Sequence, residues 1–180
     1  MTTLIRNTIS CPLPGNITPM SPNGFNFTIT KLPDLSFFCQ QVTLPALSIG
    51  APEQMTPFST TPIPGEMATF DQLQVQFLVD SEMKNYKAIH NWLIALSFPE
   101  NYEQYTKFID GDASQYGELA RNYSDGTLSM LDGTNNVAAT VQFVDLFPIS
   151  LEGLTFQSTN TDVQYLVGSA TFRYTYYKFL

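Results

Sequence analysis

Phe70-Asp-Gln-Leu-Gln-Val-Gln-Phe-Leu-Val79 is the stretch that decides the fold class of this 180-residue chain. Phe70, Leu73, Val75, Phe77 and Val79 are set against Gln72, Gln74 and Gln76. That is the period-2 alternation of a strand with one apolar face turned to a core. Its other face is polar but uncharged. A solvated strand face more usually carries Lys and Glu, so the three glutamines suit an interface or a lined channel as well as an ordinary wet surface.

Downstream, Met83, Tyr86, Ile89, Leu93 and Leu96 recur at helical spacing and predict a helix over Glu82–Leu96. Asp80 or Ser81 can cap its start, and Ser97-Phe-Pro99 stops it. Residues 98–123 are rich in Tyr, Asp and Gly and read as a surface insertion. From there the pattern is β. Thr127–Leu131 and Val137–Val144 flank the hairpin signal Asp132-Gly-Thr-Asn-Asn136. Leu146-Phe-Pro148 reads as a strand break. Leu151–Gln157 and Gln164–Tyr177 form a last pair around Ser158–Asp162, with Leu166, Ala170, Phe172, Tyr174 and Tyr176 on one face.

Upstream, Phe25, Phe27 and Ile29 alternate with Asn26 and Thr28, and Leu35–Val42 reads as a second strand closed by Leu44-Pro45. Residues 46–67 hold Pro52, Pro57, Pro62 and Pro64 and read as an extended loop or edge hairpin. Residues 1–24 are an arm or irregular lead-in, punctuated by Pro12, Pro14, Pro19, Pro22, Gly15 and Gly24. The expectation is one β domain over 25–180. Its architecture is mainly β: an antiparallel two-sheet sandwich or barrel of seven or eight strands with one flanking helix.

Composition narrows the function. Charged residues make up 13% of the chain, against about 25% in an average soluble domain. Hydrophobic residues make up 43%, so disorder is excluded. A folded chain with so few charges is either a low-charge monomer or one whose surface is covered by neighbours. The net charge of −8 opposes nucleic-acid gripping, which needs Lys and Arg against phosphate. No run approaches the roughly 18 apolar residues of a membrane span, and the first ten residues lack a secretory h-region. Cys11 and Cys39 are expected as free thiols.

The residues offer no catalytic set. His90 is the one histidine and lies inside the predicted helix, beside the apolar stripe, as a packed or surface residue. One His and two distant Cys give no zinc spacing. Asp110-Gly-Asp112 hints at a calcium loop, but Gln115 and Arg121 stand where Gly and a bidentate acid are needed. No phosphate-cradling glycine motif occurs. The expectation is a protein that is not an enzyme and uses no cofactor.

Three segments carry a resemblance, in order and at similar spacing. Phe38-Cys-Gln-Gln-Val-Thr-Leu-Pro45 is a strand entering a Leu-Pro turn. Phe70–Asp80 followed by the helix to Trp92 is a strand-acid-helix unit. Val141-Gln-Phe-Val-Asp-Leu-Phe-Pro148, then Leu151, Leu154, Phe156, Asn160–Gln164 and Tyr174-Thr-Tyr-Tyr-Lys-Phe179, completes the pattern. Together these resemble the tail tube protein family of contractile-tailed, T4-type bacteriophages over residues 35–97 and 125–179. The long arm and the 98–123 insertion depart from it.

The resemblance implies a virion subunit, assembled in the host cytoplasm, whose six copies form a ring and whose rings stack into a tail tube. Its partners are further copies, with sheath, baseplate and tape-measure proteins. DNA would pass through the lumen without specific binding. It places Gln72, Gln74 and Gln76 at lumen or interface positions, and the arm and residues 46–67 at subunit contacts. Within the class, a tube initiator or terminator ring at the baseplate or neck is the alternative. Outside it, a carbohydrate- or protein-binding β-sandwich using Tyr102, Tyr105 and Tyr116 competes.

Overall fold

A computed structural model describes residues 20–97, 99, 103, 122–158 and 165–180. It is mainly β, with antiparallel strands and one long helix. The strands are β1 (Phe25–Ile29), β2 (Cys39–Thr43), β3 (Leu47–Ile49), β4 (Glu53–Met55), β5 (Thr60–Pro62), β6 (Ala68–Phe70), β7 (Leu73–Leu78), β8 (Ser124–Leu131), β9 (Val137–Leu151), β10 (Val167–Arg173) and β11 (Tyr176–Phe179). Two helices, α1 (Pro33–Phe38) and α2 (Lys84–Ser97), complete the described elements. Among the described residues the eleven strands exceed the seven or eight expected because residues 46–70 form short paired strands.

Seven strands hydrogen-bond in the order β1-β8-β9-β10-β7-β2, with β11 added to β9. β9 organises this arrangement. β8 occupies one of its edges; on the other, β11 pairs with Val141–Val144 and β10 with Phe147–Leu151. One lobe is thus β1-β8-β9-β11 and the other β9-β10-β7-β2. Both bury their inner faces in one cluster: Phe27, Ile29, Leu128, Val141 and Phe143 from the first lobe, Leu73, Val75, Phe77, Ala170 and Phe172 from the second. Phe27 meets Phe143 edge-on, with ring centroids 6.4 Å apart.

The strand break expected at Leu146-Phe-Pro148 does not occur. β9 runs through it, and the bend falls instead at Asp145, whose φ is 57°. Pro148 offers no N–H to a ladder, and the β10 register slips between Thr171 and Phe172 opposite it. The last strand is split at Tyr174-Thr175, facing the same bend. The strand expected over Leu151–Gln157 stops at Leu151.

Leu35–Val42 is a strand only from Cys39. Pro33 pre-sets the first helical turn, Asp34 complements it, and Leu35 is buried, so Pro33–Phe38 is helical. Helix α2 begins two residues later than expected because Met83 adopts a left-handed φ of 55°. Asn85 and Asp80 hold the junction together: Asn85 Nδ2 donates to the Leu78 carbonyl at 2.7 Å and its Oδ1 accepts from Asp80 N at 3.3 Å, while Asp80 accepts from Ser81 N at its Oδ1 and from Met83 N at its carbonyl, both at 2.8 Å. The buried stripe is Asn85, Ile89, Trp92 and Ala95. Trp92 is fully enclosed; its ring lies 6.5 Å from that of Phe172, and its Nε1 donates to the Asn122 carbonyl at 3.2 Å.

Candidate functional site

Two surfaces stand out for what they present to solvent. The first is a neutral polar sheet face. Strand β7 alternates fully buried Leu73, Val75 and Phe77 with exposed Gln74 and Gln76. Its neighbours continue the same chemistry in register. Gln76 lies between Gln41 of β2 and Ser169 of β10, and Gln74 lies between Thr43 and Thr171, with Ser150 of β9 beyond. The two rungs therefore read Gln41-Gln76-Ser169 and Thr43-Gln74-Thr171-Ser150. Neither carries a charge. Gln72 is exposed but lies just before β7, outside the ladder. Sequence reading found the glutamines and missed Gln41, Thr43, Ser150, Ser169 and Thr171. Only strand order brings those onto the same face.

The second surface is a two-stranded ribbon leading away from the neutral face. β3 pairs with β6 and β4 with β5, and the hydrogen bonds Gly65 N to Gly50 O (2.7 Å) and Ile63 N to Pro52 O (2.9 Å) join the two ladders. The chains approach so closely at this join that a Cβ on residue 65 would collide with the Gly50 carbonyl. From Ala46 to Met55 the ribbon can reach about 30 Å. Its tip is a turn in which the Thr56 hydroxyl bonds to the Ser59 carbonyl. Its root is fixed by Phe70, whose ring packs 5.5 Å from Tyr177 and 6.0 Å from Tyr174.

The ribbon's apolar side chains are unburied. Phe58 is 98% exposed, Met55 86% and Met67 81%, with Leu47 and Ile49 more than half exposed. An isolated two-stranded ribbon with such a surface is a poor free-standing structure in water. The sequence signal for it was the proline spacing, but the apolar residues between the prolines passed as loop content.

His90 is exposed on the outer face of α2. Among the described residues there is no group of three His, Cys, Asp or Glu that could hold a metal. Cys39 is a free thiol pushed up to about 11 by burial, which makes it a poor nucleophile. Cys11, the Asp110–Asp112 segment and Tyr102, Tyr105 and Tyr116 lie outside the described residues. So does most of the 98–123 insertion. Among the described residues no helix is long and apolar enough to cross a membrane.

The family model described as phage tail tube protein matches residues 8–180. The chain belongs to the phage tail tube protein family. As a member of that family it is a tail tube structural protein. Solved structures share its fold. The tube-terminating cap of the anti-feeding prophage matches at TM-score 0.60 with 14% identity, covering 96% of this chain and 98% of that one. A chain in the sheath–tube complex of the PVC extracellular contractile injection system, in its extended state, matches at 0.57 with 15% identity, covering 90% and 91%. A chain in the six-fold symmetrised anti-feeding prophage baseplate matches at 0.58 with 12% identity, covering 91% and 96%. No curated protein matches the chain.

Proposed function

We propose that this chain is the repeating subunit of a tail tube: a β-sandwich that closes with five further copies into a ring, the rings stacking around an open channel. The observation that carries this reading is the ribbon over residues 47–70. Its exposed Met55, Phe58 and Met67 are stabilised only when another surface covers them, and burial of each such side chain is worth about 1.5–3 kcal/mol. A second copy is the natural cover for a feature that every copy carries.

In that ring the neutral face lines the channel, with Gln74 and Gln76 on the wall and Gln72 at its margin. The rungs of Gln, Thr and Ser offer phosphate no cation, Arg173 follows Thr171 on the same side of β10 as an exposed base at the end of the face, and the overall charge of −8 repels DNA. DNA, and a tape-measure protein ahead of it, can then slide without sticking. Sheath and baseplate proteins contact the outside, and assembly takes place in the host cytoplasm before the particle is released.

Negative-stain electron microscopy of the purified chain, across concentration and salt, tests the reading. Stacked rings with an open channel are expected. Single rings that never stack would move the protein to an initiator or terminator position. Compact monomers in every condition would overturn the tube.

A further inference from the structure

Five of the described residues are methionines, and their surroundings divide them. Met83 and Met130 are half-buried, Met130 against the core cluster. Met20 is exposed where the described chain begins. Met55 and Met67 are, after Phe58, the most exposed of the ribbon's large apolar side chains. Neither ribbon sulfur packs on the core.

The backbone holds both out in water. Met55 sits on the last rung before the tip, opposite Thr60. Met67 sits at an irregularity. Ile49 pairs with Ala68, and the next residue, Gly50, accepts from Gly65 N at 2.7 Å. The returning strand therefore carries Glu66 and Met67 with no residues opposite them, and it bulges there. The two methionines stand at the two ends of the outer ladder, about 17 Å apart at the usual strand rise.

A thioether is the readily oxidised member of an exposed apolar set that also holds Leu47, Ile49 and Phe58. A sulfur lone pair attacks hydrogen peroxide, the S–O bond forms as the O–O bond breaks, and water leaves. Sulfur loses two electrons and the peroxide gains them. The product, a sulfoxide, is polar and accepts hydrogen bonds without donating any, so covering it without a donor is unfavourable. The thioether, by contrast, suits a contact between copies, because its unbranched chain adapts to an irregular surface.

We infer that Met55 and Met67 are an oxidation site through which a peroxide controls assembly. In the free chain both sulfurs are open to the oxidant. Once oxidised, the ribbon no longer docks on a second copy; once docked, it shields both sulfurs. The control therefore acts on unassembled chains and spares finished tubes. It is reversible, since sulfoxide reductases return the thioether, and the exposure that admits a peroxide also leaves the ribbon open to them. The fold is unaffected, because neither side chain contributes to the core. This inference rests on the reading that a second copy covers the ribbon, and its test separates the two.

The experiment uses the full-length chain in a Cys11→Ser, Cys39→Ser background, which keeps thiol oxidation out of the readout. Unassembled chains treated with hydrogen peroxide are expected to gain one oxygen at Met55 and one at Met67, at least tenfold faster than at Met130, by peptide mass spectrometry. They should then give at least tenfold fewer rings in micrographs, with an unchanged circular-dichroism spectrum, and sulfoxide reductases should restore the rings. Met55→Leu with Met67→Leu keeps the apolar cover without the thioethers, so it should assemble and resist peroxide; Met20→Leu should stay as sensitive as the parent. In preformed tubes both sulfurs should oxidise at least tenfold more slowly. Oxidised chains that assemble as well as untreated ones would overturn the inference and leave the tube standing. So would a Met55→Leu, Met67→Leu chain that loses its rings to peroxide as the parent does. Tubes in which Met55 and Met67 oxidise as fast as in free chains would also overturn it, since the ribbon would then be uncovered. If the untreated chain forms no rings, the tube reading falls and sedimentation decides the site: smaller assemblies that peroxide dissolves would uphold it, and monomers throughout would overturn it as well.

Discussion

The Thr175 hydroxyl donates to the Asp145 carboxylate at 3.1 Å, across the point where β9 and its two partner strands bend together from one lobe to the other. Asp145 holds a left-handed φ of 57°, a conformation in which Asp is tolerated better than most residues. The hydrogen bond therefore ties the two bent strands at the corner that separates the neutral face from the β11 edge. Replacing Thr175 with Val should cost about 1 kcal/mol in urea unfolding, the usual worth of one such bond. Asp145→Ala should cost more, about 1–3 kcal/mol, because Ala loses the bond and tolerates the backbone poorly. Equal costs for the two would show that the left-handed conformation contributes nothing.

Trp92 joins α2 to the core and to the strand entering β8. Trp92→Ala removes a fully buried indole and should destabilise by about 3–5 kcal/mol. Trp92→Phe keeps most of the volume but leaves the Asn122 carbonyl without its 3.2 Å donor. A milder loss of about 1–3 kcal/mol is expected from that orphaned acceptor. Denaturant midpoints at constant slope measure both, and a Trp92→Phe variant as stable as the parent would remove the Asn122 contact from the account.

The ribbon separates assembly from folding. Met55→Ser with Phe58→Ser alters side chains that are almost wholly exposed, so stability should stay within about 0.5 kcal/mol per site. Rings or tubes should nevertheless fall at least tenfold in micrographs at equal concentration, because the covered apolar area is gone. Unchanged assembly would relegate the ribbon to decoration.

The neutral face is checked by access. Gln74→Cys should react with a small maleimide both in monomers and in tubes. A bulky conjugate should label monomers but leave tube walls bare, as expected for a channel position. Tubes decorated along their outside at residue 74 would move this face off the lumen.

Asp132 gives a pH prediction. Its Oδ1 accepts from the Thr134 hydroxyl (2.6 Å), Asn136 N (3.0 Å) and Thr134 N (2.8 Å), which lower its carboxyl below the ordinary 3.8. Because the folded value is the depressed one, the stabilisation is present above the unfolded value and is lost as pH falls through the folded value. Asp132→Ala should therefore narrow its deficit against the parent as pH drops below about 4. A constant difference from pH 7 to pH 2 would show that the carboxylate is not the active form.

Much of the core could be read along the chain. The alternation of Leu73, Val75 and Phe77 with glutamines, the hairpin at Asp132–Asn136 and the helix through Ile89 are local patterns, and they depend on near neighbours only. The readings that failed were decided by distant partners. Pro148 stays inside β9 because a register slip in β10 accommodates it, and Leu35 turns helical because a core lies beneath it. Asn85, polar and central to the buried stripe, could not be foreseen, since its partner is the Leu78 carbonyl across the preceding turn.

By itself, then, the sequence determined a mainly β, low-charge chain with an uncharged face on its central strand, because periodicity and composition act residue by residue. Tertiary structure alone decided that Gln41, Thr43, Ser150, Ser169 and Thr171 join Gln74 and Gln76 in one neutral surface, that the proline-rich stretch is a paired ribbon with its methionines and Phe58 in water, and that β11 is left with an open edge. Each of these depends on which strands lie side by side, and strand order is set by long-range packing over a shared core that no local pattern encodes.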